Sequence, residues 1–102
     1  MAKKIVELST KRKVELKDMS VDEVDICQDM TILKTDENGV PYVVGISKGR
    51  TAWLRRGLAG GDFKGFKIDA NGLVVDKVIK QLSEEEKNEV AAKIQEHQHL
   101  GE

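Results

Sequence analysis

Charged and apolar residues alternate along the amino-terminal part of the chain. The segments KKIVEL (residues 3–8) and KVEL (residues 13–16) each place Val, Ile or Leu between charged residues. Alternation with a period of two is typical of a half-buried strand, and the polar residues 9–12 between the segments suit a turn. We therefore predict an amino-terminal β-hairpin.

A helical pattern follows this hairpin. Ser20 and Glu23 form a capping box, in which the serine oxygen accepts a bond from an early helix N–H and the glutamate reaches back. Apolar residues then recur at every third position, so they lie on one face. We predict a helix over residues 21–30, with Cys27 on its inward face as a small apolar residue.

The next segment contains a second hairpin signal. Asn38-Gly39 separates residues 31–33 from residues 40–46, and Asn-Gly is a strong hairpin signal because both residues accept a positive φ. Pro41 has no N–H to donate, so the strand after the turn lies at a sheet edge or begins there. We predict a second β-hairpin here.

The segment 47–58 has helical spacing, with Ser47 as the expected cap. Glycines at 57, 60 and 61 are then expected to end the helix and permit a tight bend. The predicted inward face consists of Ile46, Trp53, Leu54 and Leu58. The predicted solvent-exposed face consists of Lys48, Arg50, Arg55 and Arg56.

The last third of the chain begins with a turn at 69–72. Apolar residues between 74 and 82 keep a helical stripe, although their β-branched side chains would also suit a strand. A second capping box at Ser83 and Glu86 predicts a helix over 84–97, followed from about residue 98 by a flexible tail. The expected inward residues of this helix are Val90, Ala91 and Ile94.

Together these elements predict one small α+β domain over residues 1–102, with two β-hairpins and about three helices.

The chain has 17 basic and 18 acidic residues, and a net charge of −1 argues against a general nucleic-acid binder. One cysteine excludes an intrachain disulfide and fits a reducing compartment. No apolar run has the length of a signal peptide core or a membrane span, so we expect no membrane association.

No motif predicts an enzyme, a cofactor or a metal. The glycine segment 60–66 has Phe66 where a phosphate-binding loop needs Lys, and the 69–72 turn lacks the later ligands of a calcium loop. His97 and His99 would form only half a metal site, and we expect both to be solvated.

The most distinctive stretch is GRTAWLRRGLAGGDFKGF, residues 49–66, which contains the only Trp and both Phe residues. Three interpretations are open: an ordinary helix with a wet basic face, a protein-docking surface, and a nucleic-acid site in which aromatic rings stack on bases. We favour docking over nucleic acid because the chain has no basic excess. The candidate protein-binding residues are Arg50, Trp53, Arg55, Arg56, Phe63 and Phe66.

The order of elements resembles a known group of proteins. A short hairpin in LSTKRKVELKDMS leads to an acidic helix in VDEVDICQDM, then to a central helical region, and the chain ends in SEEEKNEVAAKIQEHQHLGE. This order is similar to small proteins encoded in the morphogenesis modules of tailed bacteriophages, particularly tail assembly chaperones.

The resemblance implies a non-enzymatic protein that binds other phage structural or assembly proteins in the host cytoplasm. For a chaperone, the client would be the tape-measure protein, held soluble until the tail tube forms around it. The segment 49–63 and the Asn-Gly hairpin leave room for a structural virion component, such as a head–tail connector or capsid accessory protein. Homo-oligomerisation and a small nucleic-acid-binding regulator that uses Arg50, Arg55 and Arg56 also stay open.

Overall fold

The computed structural model describes residues 4–99 and confirms a small, single-domain α+β fold. The strands are β1 (Lys4–Glu7), β2 (Lys13–Leu16), β3 (Ile32–Thr35), β4 (Pro41–Val44) and β5 (Leu58–Gly61). The helices are α1 (Val21–Asp29), α2 (Ile46–Gly57), α3 (Asp76–Ile79) and α4 (Glu84–His99). Both predicted hairpins form, as β1–β2 and β3–β4, and both capping boxes are present.

The first hairpin belongs to a three-stranded antiparallel sheet that the sequence did not predict. Its order is β1-β2-β5, so β2 is central, and Val14 of β2 lies opposite Gly61 of β5. The prediction that Gly60 and Gly61 form a bend is therefore wrong. Gly61 has φ +130°, and a Cβ built there would lie 2.5 Å from the carbonyl oxygen of Lys13, so only glycine permits this close pairing.

The core lies where the inner face of this sheet meets α2 and α4, and α1 packs on the outside of α2. As predicted, Val90, Ala91 and Ile94 of α4 are buried, and so is Cys27 of α1. The fully buried aliphatic residues from the other elements are Val14, Leu16, Leu54, Leu58, Val74 and Val78.

Gly57 lets α2 pack closely against Ile94 of α4. A Cβ at this position would lie 2.4 Å from Cγ2 of Ile94, with Cδ1 and Cγ1 also within 2.9 Å. Ile94 is fully buried, so it has no free space into which it can move. We expect Gly57→Ala to lower the free energy of unfolding by about 1–3 kcal/mol, measured by urea denaturation.

The double variant Gly57→Ala with Ile94→Ala provides the control for this clash. Because Ile94→Ala removes all three contacting carbons, the glycine substitution should cost much less in that background. Equal costs in the two backgrounds would contradict a steric origin.

Helix α2 begins differently from the prediction. Its N-cap is Gly45, not Ser47, and no side chain caps the helix. Gly45 has φ +80°, and a Cβ would lie 2.0 Å from the carbonyl oxygen of Met30, so the chain between β4 and α2 turns tightly against the end of α1. Ile46 precedes the inward face and is 64% exposed, which corrects its assignment to the core.

Three turns in the protein share one construction. In the turns Leu8–Arg12, Asp36–Val40 and Asp69–Leu73, the first residue donates its N–H to the carbonyl of the last, and the fourth residue donates to the carbonyl of the first. The fourth residue has a positive φ in each case: Lys11, Gly39 and Gly72. Asn38 and Asn71 do not have a positive φ, so the second and third turns are three-residue loops with a glycine bulge rather than two-residue Asn-Gly turns.

The stripe between 74 and 82 is mostly irregular. Only Asp76–Ile79 is helical, while Val74 forms an isolated bridge with Ile68. Helix α4 continues through Gln98, whose Nε2 donates to the Lys17 carbonyl at 3.0 Å, and through His99. The rest of the predicted flexible tail, residues 100–102, lies outside the described residues.

Candidate functional site

The β3–β4 hairpin stands apart from the rest of the fold. Every residue of β3 is exposed, and in β4 only Val44 is even half-buried. The molecule measures 47 × 29 × 28 Å, and its radius of gyration of 14.5 Å exceeds the roughly 13 Å expected for a compact chain of this size. The hairpin is therefore an arm with solvent on both faces, and we call residues 32–44 the arm.

The arm carries apolar side chains on both faces. In the observed register Ile32 lies opposite Val44 and Leu33 lies opposite Val43, and neighbouring pairs point to opposite faces. Leu33 is 69% exposed. Exposed apolar residues that form a contiguous patch indicate an interaction surface, whereas single ones are ordinary. Five such residues belong to the arm: Ile32, Leu33, Val40, Tyr42 and Val43.

The two edges of the arm differ in their hydrogen-bonding capacity. Asp36 donates to the carbonyl of Val40, and hydrogen-bonded pairs alternate along an antiparallel ladder. Leu33 and Thr35 are therefore in the pairs whose N–H and C=O groups point outward from β3. On the β4 edge the outward position at 41 is a proline, which has no N–H. Each outward residue of β3 therefore has both an N–H and a C=O group, whereas the β4 edge lacks one N–H.

Three shallow grooves surround the base of the arm, with volumes of about 300, 380 and 440 Å³. Ser47 lines all three. The first lies between α2 and α4, the second between Met30 and the basic side of α2, and the third against β4 itself. The three grooves are therefore adjacent, and together they extend from β4 of the arm over the surface of α2.

The second groove at the base of the arm is lined by basic side chains, and the tip of the arm is acidic. Lys48 and Arg56 line the second groove, and no ion pair within residues 4–99 includes either of them. The first turn of α2 has no acidic residue, so its dipole adds positive potential there. Asp36 and Glu37 lie in the turn at the tip, where the Asp36 carboxylate accepts from the N–H groups of Asn38 and Val40.

The structure brings four of the six candidate residues to these grooves. Arg50 and Trp53 line the first groove, and Arg55 and Arg56 line the second. Trp53 is 7% exposed and belongs to the core. Two of the arginines already have partners: Arg50 contacts Asn88 and Glu84, while Arg55 donates to the Val74 carbonyl and to Asp76.

The two phenylalanines lie elsewhere, beside an arginine that sequence reasoning missed. Phe63 and Phe66 are half-buried with ring centroids 5.8 Å apart, and the Arg12 guanidinium lies 5.3 Å from the Phe63 ring centroid. Arg12 also pairs with the buried Glu86 at 3.0 Å and donates to the carbonyl of Gln81. These contacts join residues far apart in the chain, and no local pattern signals them.

Cys27 is a buried thiol, as the sequence predicts. Burial raises the pKa of its thiol to about 11, although the nearby Arg56 charge acts in the opposite direction. From an ordinary value of 9.0, this leaves roughly a hundredfold less thiolate at neutral pH. We expect iodoacetamide to label native Cys27 at least about a hundredfold more slowly than the urea-unfolded chain at pH 8. Similar rates would show that the side chain is accessible.

His97 is not solvated, contrary to expectation. Its side chain is mostly buried, and Nε2 lies 2.8 Å from Oδ1 of Asp18.

Within residues 4–99, no cluster of three or more His, Cys, Asp or Glu side chains could hold a metal ion. None of the helices described over the same range is long and apolar enough to cross a membrane.

Comparison of the chain with protein-family models, curated proteins and solved structures finds no match.

Proposed function

We propose that this chain is a non-enzymatic protein-binding module of phage tail assembly, which holds a tape-measure or other tail protein through its exposed arm. The observation that carries the proposal is the arm's solvent-exposed apolar surface on both faces. An isolated two-stranded hairpin is only marginally stable in water, so a protein that keeps one uncovered gains from a partner that covers it. The setting in tail assembly comes from the resemblance in the order of elements.

The shape of the arm suits an elongated or partly unfolded client. Apolar side chains such as Leu33 and Tyr42 give contact area on opposite faces of the arm. The basic groove beside Met30 favours a client segment that also contains acidic residues. An arm with these properties would cover apolar segments of the client and keep the client soluble, and this needs no chemical reaction.

Co-expression with the tape-measure protein of the same phage tests the proposal. The variant Tyr42→Ser with Val43→Ser removes apolar area from both faces of the arm and leaves the core intact. We expect the wild-type protein to raise the soluble fraction of the tape-measure protein and this variant to lose most of the effect. Copurification and the soluble fraction are the two measurements.

Ile5→Ser is the matched control, because Ile5 is an equally apolar and 66% exposed residue on β1, outside the arm. It should retain full activity. If neither the wild-type nor the control protein solubilises any tail protein, the proposal fails. If the arm variant works as well as the wild type, binding does not occur through the arm.

Mass spectrometry of purified virions separates a chaperone from a virion component. A chaperone leaves during assembly, so we expect the protein to be absent from mature particles. Stoichiometric presence would instead support a head–tail connector or capsid accessory role. Micromolar nucleic-acid binding that weakens steeply with salt and disappears in Arg56→Glu would favour the regulator.

A further inference from the structure

We propose that the β3 edge of the arm pairs antiparallel with the β3 edge of a second copy, giving a four-stranded sheet across a twofold axis. All of β3 is exposed, so its outer edge is accessible. The outward N–H and C=O groups of Leu33 and Thr35 are unpaired within the arm by the alternation of the ladder. Exposed edges of this kind are templates for pairing with another chain.

The other edge is blunted, which directs pairing to β3. Pro41 occupies an outward position on β4 and has no N–H, so a strand added there loses a ladder bond. A contact between two β3 strands is isologous, because the same surface is used by both copies, and it closes at a dimer. Edge pairing therefore gives a defined dimer rather than an open filament.

Charge and the length of β3 select the register of this pairing, since an axis through Thr35 would place Leu33 opposite Glu37 in the tip turn rather than opposite a strand residue. A twofold axis through Lys34 would place the two Lys34 side chains directly opposite each other, which is unfavourable. An axis through Leu33 places Leu33 opposite its copy, and each Lys34 opposite Ile32 of the other chain. Leu33 then exchanges two backbone hydrogen bonds across the axis, because its polar groups point outward.

This register also brings the tip of each arm to the base of the other. Asp36 lies three residues from Leu33 toward the tip, and Met30 lies three residues from it toward the base. Asp36 of each copy therefore lies opposite Met30 of the other, beside the groove that Lys48 and Arg56 line, whereas Glu37 lies opposite Asp29. Glu37 has no partner within residues 4–99, and Lys48 and Arg56, beside Met30, have no ion-pair partner there either.

The dimer goes beyond the proposed function and is independent of it. Edge pairing uses backbone groups and leaves the apolar faces of both arms open to a client. A four-stranded sheet is also more stable than a two-stranded hairpin, so pairing gives the arm support that its own chain does not supply.

Sedimentation of the full chain over a range of concentrations tests the proposal. We expect a reversible dimer of twice the 11.4 kDa chain mass. Thr35→Pro removes an outward N–H from the β3 edge and keeps the ladder bonds inside the arm, so it should give a folded monomer by circular dichroism. Val43→Pro removes an outward N–H from the opposite edge and is the matched control, which should remain dimeric.

A wild-type monomer at several hundred micromolar, or a dimer that Thr35→Pro leaves intact, would overturn the proposal. The Thr35→Pro monomer should still solubilise a tail protein, so failure of the dimer and failure of the proposed function give different results.

Discussion

Replacing Trp53 by alanine should lower the free energy of unfolding by about 3–5 kcal/mol. Trp53 is 7% exposed and belongs to the cluster that joins α2 to the sheet and α4. Removing the indole leaves a large cavity between elements that are fixed on several sides, so little of the loss is recovered by relaxation. Denaturant unfolding followed by circular dichroism measures the change, since the variant lacks its only tryptophan fluorophore.

Tyr42→Ala is the matched aromatic control for this result. Tyr42 is on the arm and exposed, so its loss should change the unfolding free energy by less than about 1 kcal/mol. A small effect of Trp53→Ala, comparable with that of Tyr42→Ala, would show that the indole is not part of the core. In that case Trp53 would return to the candidate interface residues.

Replacing Arg12 by alanine should cost about 3 kcal/mol of stability, because it leaves the buried carboxylate of Glu86 without its charged partner. Glu86 is 6% exposed and accepts from Thr10 at 2.6 Å and from Arg12 at 3.0 Å. Its other oxygen accepts from the N–H of Ser83 in the capping box. The site therefore fastens the first turn of the chain to the start of α4.

Protonation of Glu86 should reproduce part of this loss. Burial by itself raises the pKa of Glu86, but hydrogen bonds from Thr10, the Ser83 backbone and Arg12 outweigh it and hold the pKa at about 2, below the ordinary 4.5. A lowered carboxyl pKa contributes stability above pH 4.5, and this contribution is lost as the pH falls toward 2. The shift corresponds to about 3 kcal/mol.

Glu86→Gln provides the control for both measurements. Its unfolding free energy should vary less between about pH 5 and pH 2 than that of the wild type. In the Glu86→Gln background, removal of Arg12 should also cost less, since no buried charge is left behind. Equal pH dependence of the two proteins would show that another carboxylate dominates acid unfolding.

Local signals in the sequence predicted much of this fold. The capping boxes at Ser20 and Ser83, the phase of Cys27 and the inward face of α4 were correct because each depends on neighbours within four residues. Strand β5 was missed because Leu58-Ala-Gly-Gly has low strand propensity. It becomes a strand only through pairing with β2, which lies more than forty residues earlier.

The candidate site was harder to predict than the fold. The Asn-Gly signal correctly indicated the β3–β4 hairpin, but apolar residues in a strand normally indicate a buried face, and here both faces are exposed. Arg50 and Arg55 appeared as free surface charges, yet both are bonded to residues that lie at least nineteen positions later in the chain. Exposure and pairing of this kind depend on tertiary contacts.

The shared turn construction has a consequence for chemical ageing of the protein. Asn-Gly sequences deamidate when the glycine backbone nitrogen attacks the asparagine side chain and forms a succinimide. In the folded protein the N–H groups of Gly39 and Gly72 are each hydrogen-bonded to an aspartate carbonyl at 3.0 Å, so both nitrogens are held away from that reaction. Unfolding releases them. Deamidation at Asn38 and Asn71 would therefore accumulate mainly in molecules that have opened these turns, leaving a covalent record of each turn's opening.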